Sequence, residues 1–385
     1  MCSGVEAERA GLYLHVPFCR SKCAYCDFYS RPGFDDEALD RFAAAMQRDI
    51  CMAAALYGDY CFDSVFVGGG TPTVLGARLA DILQTAYSRL TFAADCEITV
   101  EANPESISPQ LAALLAANGV NRISLGAQSM DDVQLRLLGR IHSADTVAEA
   151  VEAVRKSGIA RLNLDLMFGL PYQRGDGEAQ LAVWESTLHA ALALGPDHLS
   201  AYSLKIEPGT PLCRRAGEYK FPDEELEERM YGVLCERARS AGMLHYEISN
   251  FAKPGCECRH NLKYWTGKPY LGLGPAAHSY IRARRMSVAP DTDAYIAGKA
   301  GVIDCGEIDA AERAYEHIVT SLRLSRGIDF IKLQTYYDLN RIRAMADDLV
   351  SHGLARRTPQ GLALTERGFR VSNAVIALLD GARLA

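Results

Sequence analysis

Short apolar or β-branched runs recur along the first 210 residues, and between them lie stretches with one apolar face per helical turn. LYLHV (12–16), SVFVGG (64–69), EITVEA (97–102), RISLGA (122–127), RLNLDLMFG (161–169) and HLSAYSL (198–204) predict six strands. A representative intervening stretch, DTVAEAVEAVRKSG (145–158), puts Val147, Ala150, Val151 and Val154 on one face, with Asp145 as the expected N-cap and Gly158 as the stop. Alternation of this kind is the pattern of βα units around a parallel sheet. Six units are too few to close the usual eight-stranded barrel, so the expected fold class is α/β with a partial (βα)6 barrel.

Polar and glycine residues cluster just after the runs: the cysteines of FCRSKCAYCDF (18–28), GGGTPT (68–73), Glu101, Gln128 and Asp165. In such sheets the loops at the carboxyl ends of the strands build the active site, so the chemistry is expected at that mouth. FPDEELEERMYGVLCERARSAG reads as one more amphipathic helix over roughly 222–242, on the outside of the barrel. A glycine- and aromatic-rich stretch follows with little helical period, and after about residue 305 the order becomes helix, helix, short β-element, helix. The expected division is a barrel over 1–242, a connecting segment over 243–304 and a small winged-helix-like α+β domain over 305–385.

At 385 residues and 49% hydrophobic composition the chain can bury a large core. Its net charge of -7 argues against a nucleic-acid binder, which needs a concentrated basic surface. The start, MCSGVEAERAGLYLHV, lacks the features of a signal peptide, and no run of about 18 apolar residues follows, so a cytoplasmic protein without a transmembrane segment is expected. Twelve cysteines in such a chain do not read as a disulfide framework. Cys2, Cys51, Cys61, Cys96, Cys213, Cys235 and Cys305 are scattered singly, as small hydrophobes are. Clustering singles out Cys19, Cys23 and Cys26, with Cys256 and Cys258 a weaker second group.

Three thiols spaced CxxxCxxC after a strand leave two readings. A zinc site needs a fourth ligand, for which His15 is the nearest candidate. A 4Fe-4S cluster held by three thiolates instead leaves one iron open to a further ligand. GGGTPT lets backbone groups approach a ligand closely, and Glu101 is a carboxylate amid apolar strand residues at the same mouth.

YLHVPFC, GGGTPT, VEANP, SLGAQS, LGRIH, NLDLMFGLP and HNLKYW occur in this order along the chain. Together they resemble the radical S-adenosylmethionine (SAM) family, in the group that holds the oxygen-independent coproporphyrinogen III dehydrogenases (HemN) and the HemW heme chaperones. The resemblance implies that Cys19, Cys23 and Cys26 hold a 4Fe-4S cluster and that SAM binds its open iron, where reductive cleavage would give a 5′-deoxyadenosyl radical. It assigns Tyr13, Gly69 and Glu101 to the cluster-bound SAM, with Gly70 and Thr71 in the same glycine segment. Tyr25, Gly70, Thr71, Gln128, Arg140 and Asp165 match positions that line a second SAM pocket in the dehydrogenases. The C-terminal domain is then expected to be of the HemN type.

Departures choose between the branches. The dehydrogenases continue to a fourth cysteine where this chain has Phe28, and they carry a long segment before the first strand, where this chain has twelve residues before Tyr13. With HNLKYW (260–265), these features bring the chain nearest to the heme chaperones. The resemblance implies heme as cargo and apo-hemoproteins as recipients, in a monomer or dimer, with peripheral membrane association open. Within HNLKYW, His260 is the candidate axial ligand and Tyr264 and Trp265 the candidate flat contacts. Cys256, Cys258, His142 and His278 are alternative iron ligands. The principal alternative function is oxidative decarboxylation of coproporphyrinogen III, and a third is a scaffold in which zinc on the cysteines is only structural.

Overall fold

The computed structural model describes residues 7–173 and 175–384; Cys2 lies outside the described residues. Six parallel strands form its centre: β1 (Glu8–Val16), β2 (Tyr60–Gly69), β3 (Thr91–Ala102), β4 (Arg122–Gln128), β5 (Arg161–Phe168) and β6 (His198–Ser203). Leu12, Leu14, Val65, Val67, Val100, Ile123, Leu125, Leu162, Leu164 and Leu199 are buried along them, which is why these strands read as apolar runs. The helices Asp36–Tyr57, Ala77–Arg89, Pro109–Ala117, Ala144–Lys156, Gly177–Ala193 and Glu224–Ser240 each follow one of the strands. The expected α/β class with six βα units is therefore present.

The barrel stays open because β1 and β6 pair with other strands instead of with each other. Beyond β6 lie β8 (Asn250–Ala252) and then β7 (Leu244–Glu247), both antiparallel. Beyond β1 lies β9 (Tyr270–Leu273), parallel to it, then β10 (His278–Ile281), β11 (Arg284–Val288) and β12 (Val302–Glu307) in antiparallel order. The result is one sheet of 12 strands. Residues 243–304 thus contribute strands to both edges of the main sheet. These strands are short and their partners are distant in sequence, so no local period announces them.

The helix over 144–156 buries Val147, Ala150, Val151 and Val154 as expected, but its N-cap is Ser143, not Asp145. The Ser143 hydroxyl accepts from the Thr146 N–H at 3.3 Å, which leaves Asp145 in the first turn, where its charge favours the helix dipole. The helix over 224–240 caps on Asp223 and packs against Gly177–Ala193.

The C-terminal residues form a second core, with Ile318, Leu322, Leu333, Ile342, Leu349, Leu362 and Leu379 all buried. Helix Ala310–Ser321, strand β13 (Ile328–Asp329), helix Leu339–Ser351, strands β14 (Ala355–Arg357) and β15 (Gly361–Leu364), and helices Glu366–Arg370 and Ser372–Asp380 follow one another; the expected helices and short β-element are there, with β13 added between the first two helices. Among the described residues, no helix is long and apolar enough to cross a membrane.

Candidate functional site

The loop after β1 carries the three thiols, each half-buried and none in a disulfide. Its backbone is held from several sides: Cys19 N–H donates to Arg31 O at 3.2 Å, Ala24 N–H to Leu138 O at 2.9 Å, and Leu212 N–H to Ala24 O at 2.8 Å. The end of β2 clamps it as well. Gly70 N–H donates to Val16 O and Thr71 N–H to Phe18 O, both at 2.7 Å. A Cβ on Gly70 would stand 2.5 Å from Phe18 O, and Gly69 has φ +108° with the His15 ring where its Cβ would go, so both must be glycine.

A hydrogen-bonded chain links two of the thiols through side chains from three other segments. The Thr71 hydroxyl faces Cys19 Sγ at 3.6 Å and accepts from Asn103 Nδ2 at 3.0 Å. The Arg140 guanidinium donates to Asn103 Oδ1 at 2.7 Å, to Gly126 O at 2.8 Å and to Cys23 Sγ at 3.3 Å. Burial raises the Cys26 pKa, and its backbone hydrogen bond with Phe28 works the other way. Asn103 was not among the expected site residues, although it stands two positions beyond Glu101 in the same VEANP motif.

The spacing of the sulfurs bears on what they can hold. One zinc ion at about 2.3 Å from each sulfur needs all three within about 4.6 Å of one another. Among the described residues, the one His, Cys, Asp or Glu trio with ligating atoms all within 4.8 Å is Cys235, His245 and Glu366, so the loop sulfurs as placed are spread wider than a single ion needs. In a 4Fe-4S cluster each thiolate meets a different iron, and wider spacing suits it. His15 is also unavailable as a fourth ligand, with Nε2 at 3.0 Å from Tyr29 O and Nδ1 at 3.0 Å from the Tyr13 hydroxyl.

Inside the barrel is a cavity of about 280 Å³ lined by Tyr13, Glu101, Arg122, Asp165, Tyr202 and Tyr264, among others. Glu101 Oε2 accepts from Gly69 N–H at 3.1 Å. Burial, and then the neighbouring Asp165, push the Glu101 carboxyl up to about 8. Asp165 accepts from Asn163 Nδ2 at 2.7 Å and from the Ser124 hydroxyl at 3.1 Å, and burial raises its pKa too. Tyr25 packs with Leu138, Met167 and Leu212 on the other side of the cysteine loop. Gln128 ends β4 at φ +66°, a left-handed conformation that is strained for a residue with a side chain. Tyr13, Glu101 and Asp165 therefore share one cavity, while Thr71 and Arg140 sit against the thiols.

HNLKYW forms a helix, Arg259–Thr266, that carries Asn261 and Tyr264 to this cavity. His260 is fully buried: Nδ1 lies 3.0 Å from the Ser64 hydroxyl, Nε2 lies 2.9 Å from the Tyr264 hydroxyl, and its ring fills the space above Gly11. Burial, and then Lys263, lower its pKa to about 3, so the ring is neutral. Both ring nitrogens are occupied in this arrangement, and neither faces open space. Cys258 is buried 3.7 Å from Glu97 Oε1, and burial lifts its thiol to about 12. His142 bridges Glu105 and Ala127 O at 3.2 Å each, whereas His278 is exposed at the start of β10.

Tyr264 and Trp265 face outward from the same helix. They line a cleft of about 910 Å³ between the β6 side of the barrel and the C-terminal residues, with Tyr231, Arg323, Phe369 and Arg370. The Arg323 guanidinium lies 5.8 Å from the centre of the Trp265 ring, and its Nε is buried without a hydrogen-bond partner. Tyr202, Asn261 and Tyr264 border both the cleft and the barrel cavity. The cleft was not foreseen, because its walls come from segments scattered between Phe168 and Asn373.

The model of the radical SAM superfamily matches residues 13–178, the stretch from β1 into the helix after β5. The chain is 36% identical to the heme chaperone HemW of Mycobacterium tuberculosis, over 96% of this chain and 95% of that protein. It is 31% identical to the heme chaperone HemW of Escherichia coli K12, over 97% and 99%. Bos taurus mitochondrial radical S-adenosyl methionine domain-containing protein 1 is 34% identical, over 98% and 87%. The solved structure of coproporphyrinogen III oxidase (HemN) from Escherichia coli superposes with a TM-score of 0.82 at 20% identity, covering 97% of this chain and 91% of that one, which shows a shared fold. The cysteine loop, the motifs placed around it and full-length identity above 30% agree: the chain belongs to the HemW heme chaperone family of the radical SAM superfamily.

Proposed function

We propose that the protein carries heme in the cleft beside its barrel and delivers it to apo-hemoproteins in the cytoplasm, with a 4Fe-4S cluster and SAM on the adjoining mouth. The observation that carries this reading is the juxtaposition of an aromatic-walled cleft with the cavity of Tyr13, Glu101 and Asp165, the two sharing Tyr202, Asn261 and Tyr264.

Cys19, Cys23 and Cys26 would hold the cluster, which supplies an open iron and a reducing electron when bound. Arg140 and Thr71 would keep two of the thiols in place. Tyr13, Gly69 and Glu101 would receive the cluster-bound SAM. The N–H groups of Gly69, Gly70 and Thr71 are already engaged, which suits an ammonium ligand, since that group donates and needs only carbonyl and carboxylate acceptors. Tyr25, Gly70, Thr71, Gln128, Arg140 and Asp165 are assigned to a second SAM pocket on the same reading.

In the cleft, Trp265 and Tyr264 would lie flat against the porphyrin, and Arg323 and Lys205 would meet its carboxylates. His260 is assigned to holding the Tyr264 hydroxyl, with the iron meeting a group of the cleft wall instead.

The deciding experiment incubates the anaerobic, cluster-bearing protein with SAM and coproporphyrinogen III in one arm, and loads it with heme beside an apo-hemoprotein in the other. Heme transfer without porphyrinogen turnover is expected. Conversion to protoporphyrinogen with release of carbon dioxide would replace the reading with the dehydrogenase one.

A further inference from the structure

Cys235, His245 and Glu366 come from three elements: the helix Glu224–Ser240, β7, and the helix Glu366–Arg370 of the C-terminal residues. Each offers one ligating atom, and the three atoms lie within 4.8 Å of one another. The trio stands behind the cleft wall, apart from the cysteine loop. We propose that it is a binding site for a divalent ion of the zinc class, which joins the C-terminal residues to the barrel.

The His245 surroundings point to a ligand. Nδ1 is buried and has no hydrogen-bond partner. Nε2 has only long contacts, 3.5 Å to the Tyr231 hydroxyl and 3.4 Å to Ile248 O. A half-turn of the ring exchanges the two nitrogens, so either can face the trio. Phe251 stacks on the ring at 4.2 Å between centroids and Phe369 packs against it at 4.9 Å, so the ring is held between two aromatic walls.

A thiolate, an imidazole and a carboxylate form a donor set that suits zinc, with water at the fourth position of a tetrahedron. Binding requires two adjustments. The Cys235 thiol releases its proton to solvent, as a coordinating thiol does, and keeps its hydrogen bond from the Tyr231 hydroxyl. Glu366 leaves Arg239, with which it forms an ion pair on a largely exposed surface, where such pairs contribute little. The ion then takes the place of the guanidinium as the partner of Glu366, and Arg370 stays on Glu228.

The test uses the full chain with its cluster loaded, so that the loop thiols are occupied, and measures iron in parallel. Zinc is titrated against a coloured chelator, and its ligands are read by X-ray absorption at the zinc edge. The expected result is one zinc without loss of iron, with a single sulfur near 2.3 Å and nitrogen or oxygen neighbours at about 2.0–2.2 Å. Cys235→Ser should remove the sulfur shell. Glu366→Gln, at a partly exposed side chain that folding does not need, should weaken zinc at least about 10-fold, the lower end of what losing even an outer partner costs. Cys213→Ser should change neither. Zinc that displaces iron, that is absent after gel filtration, or that keeps its affinity and sulfur shell in both variants would overturn the site.

Discussion

The cysteine loop and the HNLKYW helix both carry groups able to bind iron, yet they present them in opposite ways. In the loop the backbone is fastened by hydrogen bonds to Leu138, Arg31 and Leu212, while the three thiols stay half-buried, with Thr71 beside Cys19, Arg140 and Tyr25 beside Cys23, and the Phe28 backbone beside Cys26. In the helix the imidazole of His260 is fully buried and its nitrogens lie against Ser64 and Tyr264. A site that must accept a ligand keeps its donors free and fixes the frame around them. A polar group whose partners are already in place is part of the frame, and on the proposed reading the Trp265 and Tyr264 rings would face the heme while the Tyr264 hydroxyl belongs to the frame with His260.

The sharpest break in the comparison is at the loop. Cys23→Ala should abolish the cluster altogether, seen as loss of its visible absorption and of iron and sulfide, because the remaining thiols cannot hold it. The fold should persist, since the thiol supports no core packing.

The helix should respond in the opposite sense. His260→Ala should leave the cluster intact but destabilise the protein by about 3 kcal/mol, through a cavity under Gly11 and unpaired Ser64 and Tyr264 hydroxyls. Urea unfolding of the cluster-free protein measures it. A change under about 0.5 kcal/mol, the range of ordinary surface substitutions, would mean that the buried pairing does not matter.

Acidity separates two of the buried groups further. His260 has a folded pKa of about 3 against 6.5 when exposed, so the unfolded chain binds more protons between those values and stability falls as pH drops through that window. Glu101, raised from 4.5 to about 8 in the folded chain, binds more protons when native, so stability falls as pH rises between those values. Glu101→Gln should flatten the alkaline limb and stabilise the protein at pH 8 by on the order of 1–3 kcal/mol, and it should leave the acid limb alone. The smallest expected effect lies away from both regions. Ser143→Ala should cost about 1 kcal/mol by removing the N-cap of the helix 144–156, while Asp145→Ala should cost less.

The same contrast explains what could be read from the chain. The central strands declared themselves because they are buried and locally apolar, and the cysteine loop did so because its donors lie within eight residues. Asn103 belonged to a motif already in view, but its link to Arg140 exists only once β3 and β4 are neighbours. The pairing of His260 with Ser64 spans 196 residues, and the cleft needs the C-terminal residues folded back on the barrel. Such long-range partners decide whether a histidine is a ligand or a strut, and composition and spacing carry no trace of them.

Hemin titration of the cluster-bearing protein against His260→Ala and Trp265→Ala tests the assignment most directly. Trp265→Ala should weaken heme at least about 10-fold through loss of aromatic contact, while His260→Ala should keep the wild-type Soret position and nearly the wild-type affinity. A shifted Soret band and lost affinity in His260→Ala, with Trp265→Ala unchanged, would contradict it and return the iron to His260.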